Sequence, residues 1–331
     1  MNGFYTEKNI LVTGGTGFIG SHMVESLVKQ GAKVRVTGRR EDLSNLSKVI
    51  DKIEYVKTDL SQIENCKNAC KDIEMVFHLA STVGGIHFSK DHPASMFTPD
   101  VQMTTNLLDT CSKSNTIERI LLTSSTCIYK RGCNVPFVEE DGFLDDPEPT
   151  AIGYGWAKRI AEKSAMLYQK EFSLKSSIVR LENVYGPRDN FHKTHSHVIP
   201  ALILRAIDAE NELMIWGDGN QSRSFLYVED AVEGMLMALE KYCETDPINI
   251  GTDEEITIRK LAETILDILD KKYIKLIFDS SKPTGQIRKA TSIEKMKSKI
   301  GFTPRHSIHD GLKKTISWVF ENKEIIKATN Q

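Results

Sequence analysis

The run Asn9-Ile10-Leu11-Val12-Thr13-Gly14-Gly15-Thr16-Gly17-Phe18-Ile19-Gly20 decides how the chain is read. Five mostly apolar residues predict a buried strand. Gly14, Gly17 and Gly20 then break the pattern, and residues 18–29 take helical spacing that stops at Gly31. A strand, a glycine loop and a helix in that order let backbone N–H groups and the helix N-terminus approach a pyrophosphate. A glycine cluster alone could be a tight turn. In this context it predicts dinucleotide binding, with contacts on Gly14, Thr16, Gly17, Phe18, Ile19 and Gly20.

Outward from this unit, strand-like and helix-like segments alternate. Strands are predicted at 9–13, 33–37, 53–57, 73–79, 117–123 and 176–181, with long helices at 93–114 and 153–172. The alternation implies an α/β, Rossmann-type doubly wound parallel sheet. From Asn183 the pattern breaks into loops rich in Gly, Pro, Asn and His, followed by helices near 198–209, 228–242, 256–270 and 308–322. Residues 1–182 are therefore expected to form mainly the dinucleotide-binding domain. Residues 183–331 are expected to form mainly a smaller mixed α/β substrate-binding cap, with some C-terminal segments returning to the first domain.

A chain of 331 residues can bury a large core. Its net charge of −2 gives no basic surplus for nucleic acid or an anionic membrane as main partner. Residues 1–9 lack an apolar signal core, and no stretch is apolar enough to span a bilayer. The six cysteines form no zinc or disulfide framework, which fits a reducing cytoplasm. His192, His195 and His197 cluster with Asp189, but no cysteine or carboxylate framework completes a metal site, so none is expected.

The end of the second strand bears on cofactor choice. NAD enzymes place an acid there to hold the ribose diol. This chain reads Val36-Thr37-Gly38-Arg39-Arg40, with no acid before Glu41. Arg39 and Arg40 suit a ribose 2′-phosphate through charge-assisted contacts, although the same pair could form a solvated basic turn. NADP(H) is favoured, with NAD(H) the other nicotinamide cofactor considered. Asp59 and Leu60 follow the third strand on the adenine side, where Asp59 could instead cap a helix beginning at Leu60. Leu79, Ala80 and Ser81 end the fourth strand and complete the expected cleft.

Two further stretches carry chemistry: Thr123-Ser124-Ser125, and Tyr154-Gly155-Trp156-Ala157-Lys158. Tyr154 and Lys158 stand four apart on one helix face. A nearby ammonium should pull the tyrosine pKa down from its usual ~10, poising it for proton transfer.

Tyr154-x-x-x-Lys158, Ser125 and the glycine loop together resemble an extended short-chain dehydrogenase/reductase acting on nucleotide sugars. Val83-Gly84-Gly85-Ile86, Ser124-Ser125-Thr126-Cys127-Ile128-Tyr129 and Asn183-Val184-Tyr185-Gly186-Pro187 resemble the GDP-L-fucose synthase family. So do Asp189-Asn190-Phe191-His192, Ser196-His197-Val198-Ile199-Pro200, Trp216-Gly217-Asp218-Gly219 and Phe278-Asp279-Ser280-Ser281-Lys282-Pro283. GDP-mannose 3,5-epimerases share several of these blocks. Two positions depart from the pattern. Thr16 stands where the family often has an arginine for the 2′-phosphate, and Thr284 where it often has an aspartate.

The resemblance implies roles. Ser125 would hold a substrate keto group, Cys127 would be the epimerisation base and His197 the matching acid. Asn183 and Val184 would lie beside the nicotinamide. Val83, Gly84, Gly85, Asn183, His197 and Val198 would line the sugar site, and Arg205, Trp216, Arg223 and Lys289 would contact a GDP-linked substrate. The implied activity is NADPH-dependent 3,5-epimerisation and 4-reduction of a GDP-4-keto-6-deoxy sugar by a homodimer. Two other readings stay open: a redox-neutral nucleotide-sugar epimerase with tightly held NAD, and a dinucleotide-binding regulator or RNA-associated protein that has kept the fold without turnover. The second would be expected to have lost the Tyr154/Lys158 pair.

Overall fold

The run 9–13 forms β1 (Asn9–Thr13), whose Ile10, Leu11 and Val12 are fully buried, as befits a strand covered on both faces. The computed structural model describes residues 3–82, 84, 86–192, 196–281 and 285–329. After β1 come α1 (Phe18–Lys29), β2 (Lys33–Gly38), β3 (Ile53–Lys57), α2 (Ile63–Ala69), β4 (Met75–His78) and α3 (Ile86–Asp91). Then follow α4 (Pro93–Ser112), β5 (Arg119–Ser125), α5 (Ile152–Phe172), β6 (Ser176–Leu181), β7 (Asn183–Tyr185) and α6 (Val198–Asp208). The remainder is β8 (Glu212–Trp216), β9 (Ser222–Tyr227), α7 (Val228–Lys241), β10 (Ile248–Ile250), β11 (Glu255–Thr257) and α8 (Ile258–Ile268). β12 (Lys275–Asp279), β13 (Arg288–Lys289), α9 (Glu294–Ile300), α10 (Ile308–Glu321) and α11 (Lys323–Thr329) complete it.

Seven strands form one parallel sheet in the order β10-β6-β5-β4-β1-β2-β3. The chain winds outward from β1 in both directions, so β1 and β4 flank a topological switch point, where such sheets bind ligands. One face packs on α1, α7 and α9 through Met23, Val24, Leu27, Met235, Leu239 and Met296. The other packs on α2, α4 and α5 through Cys66, Leu107, Leu108 and Ala165. The fold is therefore an α/β doubly wound sheet of Rossmann type. A separate core joins α6, α8 and α10 to β8 and β9. In α8, Ile258, Leu261, Ala262, Ile265 and Leu266 form the buried stripe, and Thr257 Oγ1 accepts the Lys260 N–H at the helix start.

Some boundaries differ from expectation. β5 begins at Arg119 and runs to Ser125, because its pairing with β6 continues through Ser124–Arg180 and Ser125–Leu181. Ser125 thus sits at a strand end. The helix after β3 begins at Ile63, so Asp59 caps no helix at Leu60. Instead Asp59 Oδ1 accepts the Ser61 N–H at 3.0 Å, a local turn that satisfies the carboxylate without a helix. No helix among the described residues is long and apolar enough to cross a membrane.

Candidate active site

The cradle at the switch point is built from backbone. Thr13 Oγ1, at the end of β1, accepts the N–H groups of Leu79 (3.2 Å) and Ala80 (3.1 Å) and meets His78 Nδ1 at 2.8 Å. This ties β1 to β4. Gly14 has φ +68°, and a Cβ there would lie 2.8 Å from the Ala80 Cα. A Cβ on Gly20 would run into the Gly14 carbonyl. Glycine is required at both, and their bare backbone leaves room for a ligand to approach. Gly17 caps α1 with no side chain, so the first N–H groups of the helix stay available to an anion. This arrangement fits a dinucleotide pyrophosphate.

Thr16 is buried, and its carbonyl accepts from Asn45 Nδ2 at 3.1 Å. Phe18 and Ile19 pack against the second core. Arg39 and Arg40 are exposed at the end of β2, where the Arg40 carbonyl accepts the Tyr55 hydroxyl. Asp59 is exposed and Leu60 buried.

Across the cleft, the N-terminal turns of α5 present Tyr154 and Lys158. The Tyr154 phenol feels the Ser125 and Ser81 hydroxyls, both of which favour its ionised form. Ser125 Oγ also accepts the Cys127 N–H at 3.2 Å, capping the short turn Thr126–Ile128. Lys158 is buried, with Nζ 5.3 Å from the Tyr154 ring centroid and 3.8 Å from Asp100 Oδ2. Asp100 Oδ2 accepts the Ser81 hydroxyl, and its Oδ1 accepts the Thr82 N–H at 2.6 Å.

These contacts correct one expectation. Burial pushes the Tyr154 phenol above the ordinary tyrosine range, and negative charge on Cys127 or Asp100 pushes the same way. The Ser125 and Ser81 hydroxyls pull against this. Lys158 is itself lowered by burial and partly restored by Asp100. Desolvation of the ring, with a carboxylate beside the lysine, outweighs the pull of the ammonium. Tyr154 is therefore held as a neutral phenol, a proton donor. Behind it, burial and the Lys158 charge push the His78 imidazole down to about 3.

Cys127 is half-buried two residues beyond Ser125, and its carbonyl accepts the Glu148 N–H at 3.2 Å. His197 precedes α6, with Nδ1 3.7 Å from Asp189 Oδ1 and a side chain 57 % exposed. The nearby Asp189 carboxylate raises its pKa above the ordinary histidine value, against desolvation and the charge of Lys289. Lys289 in β13 pairs in register with Arg223 of β9. It also lies near Glu182, which burial pushes up to about 7 while the N–H groups of Thr252 and Thr291 donate to it at 3.1 Å each. Arg223 Nη1 donates to the Ser222 carbonyl at 2.7 Å and feels the Glu148 carboxylate.

Arg205 donates to the Ala201 and Met214 carbonyls at 3.2 and 3.0 Å. Trp216 ends β8, exposed, opposite Asp279. Asn183 Nδ2 donates to the Ser224 carbonyl at 2.9 Å, and Val184, Val198 and Gly84 are half-buried. Val83 and Gly85 lie outside the described residues, as do His195 and Thr284. Ser81, Ser125, Cys127, Tyr154 and Lys158 thus form one cluster and His197, Lys289 and Glu182 a second. Arg205 and Trp216 form a third, linked through β8. Among the described residues no group of three or more His, Cys, Asp or Glu side chains could hold a metal.

Sequence reading missed Asp100 and a buried network under Ser125. Arg180 Nε and Nη2 grip Glu162 at 3.0 and 2.8 Å, the Ser124 hydroxyl donates to Glu162, and Arg180 Nη1 reaches Tyr129 at 3.0 Å. The signals were available. Asp100 stands on the apolar stripe Met96–Met103–Leu107, Arg180 interrupts the apolar run of β6, and Glu162 lies one turn beyond Lys158.

The chain is similar to known proteins over most of its length. GDP-L-fucose synthase 1 of Arabidopsis thaliana is 31% identical over 317 residues, 95% of this chain and 93% of that protein. A dTDP-4-dehydro-6-deoxy-D-allose reductase from a Streptomyces species is 32% identical over 319 residues, 94% and 96% of the two chains. The crystal structure of a GDP-L-fucose synthetase from Naegleria fowleri bound to NADP superposes with a TM-score of 0.81 at 25% identity, covering 96% of each chain. Residues 10–251 match the family described as NAD dependent epimerase/dehydratase, and the chain belongs to that family.

Proposed function

We propose that the chain is a nucleotide-sugar 3,5-epimerase/4-reductase that uses NADPH on a 4-keto-6-deoxy sugar, with GDP as the nucleotide. The observation that carries this reading is the convergence of Ser125, Tyr154 and Cys127. The Ser125 hydroxyl caps the turn that carries the Cys127 thiol and acts on the Tyr154 phenol across the cleft. A plain reductase needs only the hydroxyls. A 4-keto group acidifies the C–H bonds at C3 and C5, and Cys127 supplies a base for them.

Ser125 and Tyr154 would hydrogen-bond the keto oxygen and stabilise the enolate that forms when Cys127 removes a proton. His197, raised by Asp189, would return a proton to the opposite face. Bound NADPH supplies hydride to C4. Tyr154, kept neutral by burial, would give its proton to the new C4 oxygen, with Lys158 balancing the charge. Gly14, Gly17 and Gly20 would take the cofactor pyrophosphate, and Arg39 and Arg40 its 2′-phosphate. Arg223 and Lys289 would meet the substrate diphosphate, and Arg205 and Trp216 the base. The dTDP-sugar relative has similar identity and supports a 4-keto reductase on another nucleotide.

A second reading, a redox-neutral epimerase with retained NAD, is favoured by Thr16 standing where an arginine would hold the 2′-phosphate. The test is to purify the protein, identify any cofactor it retains, and screen GDP- and dTDP-linked 4-keto sugars for NADPH oxidation. Oxidation with a GDP-linked sugar is expected. Retained NAD, with sugars interconverted and no NADPH consumed, would replace the proposal with the second reading.

A further inference from the structure

Asp100 has a place that packing alone does not explain. Its side chain is only 3 % exposed, and an ionised carboxylate so deeply buried must be paired. Its partners all belong to the Tyr154 cluster. Oδ2 accepts the Ser81 hydroxyl and lies 3.8 Å from Lys158 Nζ, while Oδ1 takes the Thr82 N–H at 2.6 Å. A carboxylate only accepts, so Ser81 donates to it. The Asp100 carboxylate, held by Ser81 and set beside Lys158, is a buried negative charge that favours the phenol in its protonated form.

We propose that Asp100 is a positioning residue, a buried counter-ion on α4 that sits beside Lys158 and keeps Tyr154 in its proton-donating form. The proposal rests on the reading of Tyr154 as the acid in 4-keto reduction. The titratable and charged groups facing this cluster are Asp100 from α4, His78 from β4, Tyr154 and Lys158 from α5, and Cys127 from the turn after β5. His78 is held neutral, lodged between Thr13 and Thr104. Cys127, the other negative contributor, remains when Asp100 is changed. The Asp100 charge raises both Tyr154 and Lys158, so its loss lowers both. The phenol would then give up its proton at lower pH, and reduction, which needs that proton, would fail earlier on the alkaline side.

Asp100→Asn keeps the shape and removes the charge. The alkaline limb of kcat/KM for NADPH-dependent reduction should move to lower pH by on the order of one unit, as expected for one charge a few ångströms away. The maximal rate below that limb should change much less. A second readout needs no substrate. With tyrosine labelled with ¹³C at Cζ in the NADP⁺-bound protein, and Tyr154→Phe to assign the signal, Tyr154 should ionise at lower pH in Asp100→Asn than in wild type. Asp100→Glu, which retains the charge, should follow wild type in both. If wild type shows no NADPH-dependent turnover, the functional reading fails, while the labelled-tyrosine titration still tests Asp100.

An unmoved alkaline limb and an unmoved Tyr154 titration in a folded Asp100→Asn protein would overturn the proposal. So would a loss of activity uniform across pH. Asp100→Ser repeats the test if the amide variant does not fold. Failure of both neutral variants to fold would make Asp100 a structural partner of Lys158 and also overturn it.

Discussion

On the proposed reading, Cys127 and His197 serve epimerisation and not reduction. Cys127→Ser should stop solvent deuterium uptake at C3 and C5 while direct 4-keto reduction persists, because Ser125 and Tyr154 are untouched. Mass spectrometry of the product in D₂O checks this, and normal wash-in would reduce the thiol to packing. Tyr154→Phe should lower reduction by far more than tenfold, a barrier increase well above ~1.4 kcal/mol, with cofactor binding nearly intact. Retention of a tenth or more of wild-type turnover would remove Tyr154 from the mechanism. Asp189 holds His197 raised, so the imidazolium persists to higher pH than an ordinary histidine. Asp189→Asn should therefore move the alkaline limit of epimerisation to lower pH. An unchanged limit in the pH profile of deuterium exchange would show that His197 is not the acid.

The elements position these groups, and their joints are the places to test. The Glu162–Arg180 pair fastens α5 to β6 beneath Ser125, and both side chains are about 1 % exposed. Glu162→Ala leaves an uncompensated buried guanidinium and should cost about 3–5 kcal/mol in urea unfolding. A change below ~1 kcal/mol would show that the pair holds little. Replacing Arg39 and Arg40 by Ala should weaken NADPH binding at least about tenfold and leave NADH unchanged. Equal losses for both cofactors in titration would deny the arginines a 2′-phosphate role. Most elements were legible because their periodicity is local: β1, β3 and β6 fall where their apolar runs predict, and α8 and α10 show plain helical stripes. The end of β5 was not, since its last two residues are strand only by pairing with β6. The neutral state of Tyr154 was not legible either. It depends on Asp100, more than fifty residues away in sequence, and on burial that no spacing reveals.

Across the molecule, the first half reads from its sequence better than the second. β11 and β13 flank β9, β7 pairs with its far end, and β12 pairs with β8 across some sixty residues. Such pairings leave no local signal, whereas the βα alternation of the first half repeats its own. α5 carries Trp156, Leu167 and Phe172 exposed on a helix already packed against α4. Pairing of these helices with a second copy should cover them, and light scattering at micromolar concentration should return a dimer. A monomeric mass would refute that. The most direct measurement follows one GDP-linked 4-keto-6-deoxy sugar in D₂O with limiting NADPH, reading cofactor oxidation and deuterium position together. One NADPH oxidised per product, with deuterium at C3 and C5, is the expected result. Interconverted sugars with no NADPH consumed, or reduced product without deuterium at either carbon, would contradict a coupled epimerase/reductase.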